Sequence, residues 1–143
     1  MRDMARSDYS FSGMKALVID DQAFVRRIVI GLLRQMGFHS VEEAEDGAEG
    51  LKLNNTILPD VIVCDIEMEP VDGLTFLQIL RNSKDVQNQG VPVVFLTNHT
   101  ESGVVKRGRE LGANSFVVKP PSLGALKERI VFAVFRHQHH ETT

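Results

Sequence analysis

The sequence predicts an α/β domain, a doubly wound five-stranded parallel sheet built from successive βα units, (βα)5. Three observations predict it. Short apolar runs of strand length alternate with longer segments of helical periodicity, four of the five runs are near-continuous, and no repeat or low-complexity tract breaks the order. A continuous apolar run suits a strand covered on both faces, as in a parallel sheet, whereas a sheet with one wet face alternates. Strict β-α alternation then selects a parallel sheet with right-handed crossovers.

The elements follow in chain order. "KALVID" (15–20) is the first strand. Val25, Ile28, Val29, Leu32, Leu33 and Met36 then repeat at helical spacing, and Gly37 stands where a glycine ends such a helix. "SVEEAED" (40–46) is a weaker strand, while "VIVCD" (61–65), "PVVFLT" (92–97) and "SFVVK" (115–119) are strong ones. Helices are predicted near 47–54, 73–82, 102–111 and 123–136. On the last of these, Leu123, Leu126, Ile130, Ala133 and Val134 share one stripe and leave Val131, Phe132 and Phe135 outside it. Clustered exposed aromatics mark partner surfaces, so these three residues are the expected docking or homodimer face.

Composition narrows the function. The chain of 143 residues has a hydrophobic share of 43%, a charged share of 24% and a formal net charge of -3, an ordinary globular balance with no bulk attraction to nucleic acid. It is expected to form one domain over residues 14–136, with an N-terminal extension (1–13) and a polar tail (137–143). The N-terminal stretch lacks an apolar core of signal-peptide type, and no run reaches the ~18 apolar residues of a membrane span. A cytoplasmic protein is the expectation. The single cysteine, Cys64, lies inside "VIVCD" and reads as a small buried thiol. His137, His139 and His140 belong to a polar terminal tail, where solvation is the ordinary fate.

In a doubly wound sheet the functional crevice lies beyond the carboxyl ends of the strands. Strand one ends there in Asp20 and Asp21, strand three in Asp65, strand four in Thr97 and strand five in Lys119, followed by Pro120. Three carboxylates in one pocket repel by roughly 10 kcal/mol at an effective dielectric near 20, so the pocket calls for a cation. Mg2+ suits oxygen ligands and pairs with one or two carboxylates plus phosphate oxygens. A carboxylate so placed attacks a phosphoryl donor without needing a general base. Asp65 is the candidate nucleophile, with Lys119 and the Thr97 hydroxyl placed to neutralise and hydrogen-bond the transferred group. Singly these residues have duller roles, Asp21 as a helix cap for example; it is their convergence that argues for chemistry.

At these residues the chain resembles the receiver domain of bacterial response regulators, and among them the single-domain chemotaxis regulators. The resemblance covers about residues 14–136 and is densest in "LVIDDQAFVRRIVIGLLRQMGFHSVEEAEDGAEGL". It implies the flavodoxin-like receiver fold, with Asp20, Asp21 and Asp65 as Mg2+ ligands and a backbone carbonyl supplied by Glu67. It further implies that Asp65 is phosphorylated, that Thr97 and Lys119 contact the phosphoryl group, and that the Lys119–Pro120 bond is cis. Thr97 and Phe116 would form the switch that remodels the surface of helix four, strand five and helix five.

Three positions depart from the family pattern. Glu69 replaces the usual proline, which follows one residue later as Pro70, and Asn98 and His99 crowd a position where small residues are usual. These changes, with the Glu67 side chain, are expected to tune rates.

The implied function is a phosphorylation switch that acts on a partner. A sensor histidine kinase would supply the phosphoryl group, and a downstream protein, with a flagellar motor component as one candidate, would read the altered surface. A phosphorelay shuttle or phosphate sink and a phosphorylation-independent adaptor are the alternatives. A haloacid-dehalogenase-type phosphatase would want Asp where Gln22 stands, and a dinucleotide site would want glycines in place of Asp20 and Asp21.

Overall fold

The computed structural model describes residues 10–98 and 103–136. His99 and the tail histidines His137, His139 and His140 lie outside them. Among the described residues, five strands form one parallel sheet: β1 (Lys15–Ile19), β2 (Ser40–Ala44), β3 (Val61–Asp65), β4 (Val93–Thr97) and β5 (Ser115–Val118), in the order β2-β1-β3-β4-β5. The helices are α1 (Ala23–Met36), α2 (Gly47–Ile57), α3 (Gly73–Asn82), α4 (Gly103–Glu110) and α5 (Leu123–Val131), the last running into a π-turn over Phe132–Arg136. No helix among the described residues is long and apolar enough to cross a membrane.

Burial explains why some strands were easy to read. β3 and β4 are buried at every position, so their sequences are unbroken apolar runs. β2 lies at the sheet edge and exposes Glu42 and Glu43, which is why its signal is weak. Along β1 the side chains alternate between two cores. Ala16 and Val18 join Val29, Leu33, Leu126 and Ile130 on the face covered by α1 and α5. Leu17 and Ile19 join Phe76, Leu77 and Leu80 on the face covered by α3.

Local chemistry sets the helix ends. Gly37, at φ 113°, closes α1 in the left-handed region that glycine adopts without a Cβ clash. The Asp46, Asp72 and Ser122 side chains accept the Glu49, Thr75 and Ala125 amide hydrogens at the starts of α2, α3 and α5. Helix α2 runs to Ile57, beyond the predicted end at residue 54.

Two features at the chain ends differ from the sequence expectation. Phe11, assigned to the N-terminal extension, is buried; its ring stacks on Phe38 at 4.6 Å and meets Phe135 at 5.7 Å. Of the three residues assigned to an outward face of the last helix, Phe132 alone is exposed; Val131 and Phe135 are half-buried against the α1/α5 core. Both flank a stripe that the helical period places correctly, since Leu126, Ile130, Ala133 and Val134 are all fully buried, and the ring of Phe135 is covered by Phe11.

Candidate functional site

Reversal of strand order at β1 and β3 opens a crevice at the carboxyl edge, because the following crossovers leave for opposite faces. The residues placed there are Asp20 and Asp21, directly after β1, and Asp65, the last residue of β3. Carboxylate oxygens of the three lie within 4.8 Å of one another. Thr97 ends the neighbouring strand β4 and is buried, and Lys119 follows β5, its amide donating to the Thr97 carbonyl at 2.8 Å. All five polar residues predicted to converge are thus on one edge.

Their environments differ. Asp20 is fully buried; Oδ1 accepts the Gln22 amide hydrogen at 2.8 Å, while Oδ2 has no hydrogen-bond partner among the described residues. Burial is the main reason its pKa rises to about 6, opposed by the Gln22 hydrogen bond and reinforced by the charge of Asp65. Asp65 is likewise raised by burial, although Lys119 Nζ donates to its Oδ1 at 2.9 Å and pulls the other way. Asp21 is exposed and accepts the Glu69 amide hydrogen at 3.4 Å. It does not cap α1, whose N-cap is Gln22 with no side-chain bond.

This arrangement fits a small hard cation. Buried carboxylates whose charged forms are disfavoured, one of them carrying an unpartnered oxygen, are what an oxygen-ligated divalent ion would satisfy. Glu67 lies two residues beyond Asp65, donates its amide hydrogen to Asp65 Oδ1 at 3.3 Å, and accepts from Asn98 Nδ2 at 2.8 Å. The loops after β3 and β4 are therefore linked above the carboxylates. The peptide bonds Lys119–Pro120 and Glu69–Pro70 are both cis.

Phe116 sits on β5, buried against Phe95 with ring centroids 5.9 Å apart, and the Arg109 guanidinium lies 5.4 Å from its ring centre. Gly108 of α4 roofs it; a Cβ there would come 3.0 Å from the ring. Beside Lys119 an open cleft of about 320 Å3 is lined by Phe24, Val25 and Ile28 of α1 and by Pro120 and Pro121.

Two residues at the site carry no signal in the sequence. Arg26 on α1 holds the Asp20 carbonyl, and Gly73 packs against the Asp65 backbone. Arg26 reads like its exposed neighbour Arg27, a basic residue on the polar side of a helix. Gly73 reads only as a residue near a helix start.

Comparison with known proteins agrees with this geometry. The family model described as the response regulator receiver domain matches residues 16–131. The chain is 32% identical to the chemotaxis protein CheY-3 of Vibrio cholerae over 117 residues, 82% of this chain and 88% of that one. It is 38% identical to the probable transcriptional regulator ycf27 of Guillardia theta over 116 residues, which are 81% of this chain but 43% of that relative. Among solved structures, the Vibrio cholerae chemotaxis protein CheY4 superposes with a TM-score of 0.76 at 29% identity, covering 84% of this chain and 98% of the other. A matched model across most of the chain, on a parallel sheet with its carboxylates at the switch point, is sufficient: the chain belongs to the response regulator receiver domain family.

Proposed function

We propose that this receiver domain accepts a phosphoryl group on Asp65 in a Mg2+-dependent reaction and signals through its α4-β5-α5 surface to a partner protein. The observation that carries the proposal is the buried carboxylate cluster, with Asp20 Oδ2 unpartnered and Lys119 already on Asp65. Asp20, Asp21, Asp65 and the Glu67 carbonyl would hold the ion. When bound, it supplies compensation for the carboxylate charges and for the charge on phosphoryl oxygens.

The chain's own residues do the rest. An Asp65 carboxylate oxygen forms a bond to phosphorus while the phosphorus–nitrogen bond of a histidine kinase's phosphohistidine breaks, its electron pair leaving on the imidazole nitrogen. Lys119 shifts its ammonium from the carboxylate toward a phosphoryl oxygen, and the Thr97 hydroxyl donates to another. Burial keeps bulk water from the acyl phosphate that results.

Movement of Thr97 toward the phosphoryl group would change the space against which Phe116 packs. Gly108 and Arg109, which contact that ring, would pass the change to α4. The exposed side chains Val104, Val118, Leu123 and Phe132 give this region an apolar character suited to a protein partner. Similarity to chemotaxis proteins makes a flagellar motor component the first target to test, with the exchange proposed to occur in the cytoplasm.

The test is incubation with acetyl phosphate, with and without Mg2+, followed by mass spectrometry. Mg2+-dependent modification that is lost in Asp65→Asn is expected. A folded protein that remains unmodified in Mg2+ would reduce the chain to a receiver-fold adaptor.

A further inference from the structure

We infer that Arg26 is a positioning residue for the acidic cluster, fixing the β1–α1 turn so that Asp20 presents a single free oxygen to a divalent cation. The inference rests on the Mg2+ proposal and extends it to a residue outside the ligand set. Its basis is the bonding of Asp20, whose polar atoms are nearly all committed. The amide donates to the Ala44 carbonyl at 3.1 Å, Oδ1 accepts the Gln22 amide hydrogen at 2.8 Å, and the main-chain carbonyl accepts Arg26 Nη1 at 2.7 Å. Only Oδ2 is left without a partner among the described residues, on a carboxylate that belongs to the acidic cluster.

Arg26 is well placed for this work. Its side chain is largely buried, 11% exposed, and Nε donates to Glu43 Oε1 at 2.7 Å. Glu43 pairs with Val18 in the β1–β2 register, two residues before Asp20. The guanidinium is therefore tied to the neighbouring strand with one edge and to the Asp20 carbonyl with the other. The N-cap of α1, Gln22, makes no side-chain cap bond, so this clamp ties the first turns of the helix to the carbonyl end of β1. A planar fork with several donors makes both bonds at once, and lysine has no equivalent geometry.

The sign of the effect separates positioning from charge. Removing a positive charge beside a cation site should, by Coulomb's law alone, strengthen Mg2+ binding. Loss of an orienting partner behind a ligand instead weakens metal affinity, by ~10-fold or more. Arg26→Met retains the apolar stem and deletes both donors. Arg26→Lys restores one donor and the charge.

Isothermal titration with Mg2+ on the full chain decides the matter, with amide exchange at Gln22 as a readout that needs no metal. The Met variant is expected to bind Mg2+ about tenfold more weakly and to exchange the Gln22 amide faster, with Lys recovering part of both. Unchanged or tighter Mg2+ binding by a folded Met variant overturns the assignment, as does a fall in thermal stability with no change in affinity. Should the Met variant not fold, Arg26→Lys is judged on the same scale, and equality with wild type overturns it. Absence of Mg2+ uptake by the wild type itself would overturn the proposed function and this inference together.

Discussion

Replacing Asp20 with Asn should stabilise the metal-free protein at neutral pH while abolishing its response to Mg2+. Asp20 is 0% exposed, and burial lifts its carboxyl from 3.8 to about 6. Between those values the folded state keeps a proton that the unfolded chain has released. Its contribution to stability is therefore complete below the unfolded value and is lost as pH rises through about 6. At neutral pH a shift of about two pKa units weighs against the fold by on the order of 2–3 kcal/mol. Asn preserves shape, keeps an acceptor for the Gln22 amide, and turns a donor toward the remaining carboxylates. Its unfolding midpoint in EDTA at neutral pH should lie above wild type by ~3–8 °C, with the two proteins converging near pH ~4, where the wild-type carboxyl is protonated in the fold. Added Mg2+ should then raise wild type alone, by about 2.7 kcal/mol at a hundredfold excess over Kd. Thermal unfolding followed by circular dichroism, in EDTA and in Mg2+ at acidic and neutral pH, measures all of this. An Asn variant less stable than wild type in EDTA at neutral pH refutes the electrostatic reasoning.

Three further outcomes follow from other parts of the molecule. Gly73→Ala would set a Cβ 2.6 Å from the Asp65 carbonyl oxygen and 2.8 Å from the Ile66 Cα; backbone cannot yield cheaply, so calorimetry should show a loss of about 1–3 kcal/mol and titration a weaker Mg2+ site. Arg81 donates to the carbonyls of Gln89, Val91 and Gly112 and to Asn114 Oδ1, and burial lowers its pKa to about 10. Arg81→Met should therefore cost ~3 kcal/mol in denaturant unfolding and leave Mg2+ affinity unaltered. Phe11→Ala removes a ring that is 1% exposed and stacked on Phe38; a loss of about 3–4 kcal/mol is expected, with faster hydrogen exchange over residues 132–136.

The sheet was legible because burial on both faces writes itself into the sequence. "VIVCD" and "PVVFLT" contain the strands β3 and β4, and even Gly37 marks the end of α1. The site was legible for a topological reason: parallel strands deliver their last residues to one edge, so Asp20, Asp21, Asp65, Thr97 and Lys119 meet once the order of elements is known. What stayed hidden depends on register or reach rather than on pattern. Phe135 stands off the apolar stripe of the last helix and so reads as outward, and only folding brings its ring to Phe11. Arg26 and Arg27 are the same residue type on adjacent positions, and only folding shows which one spans from α1 to the Asp20 carbonyl. Phe11 lies in a polar stretch with no helical or strand period, and its partner Phe38 lies far along the chain.

The two ends of the sheet carry opposite accounts of polar satisfaction. At the carboxyl edge Asp20 Oδ2 is buried without a partner among the described residues, and both Asp20 and Asp65 are shifted toward their protonated forms. At the amino edge the buried polar groups are paired. Asn54 donates to the Gln87 carbonyl and accepts from Asn88, Asn88 also reaches the Pro59 carbonyl, and Asn114 Oδ1 takes both the Val93 amide and Arg81. A fold tolerates a frustrated site when the surrounding structure over-determines it, and here the surplus of hydrogen bonds lies at the end remote from the carboxylates. Neutralising Asp20 and breaking the amino-edge network should therefore differ in sign. Asp20→Asn raises metal-free stability and removes ion uptake, whereas breaking the Arg81 or Asn54 network lowers stability and leaves ion uptake alone. An Asp20→Asn variant that moved stability in the same direction as the Arg81 and Asn54 variants would mean that the acidic edge is not held under electrostatic tension in the metal-free protein.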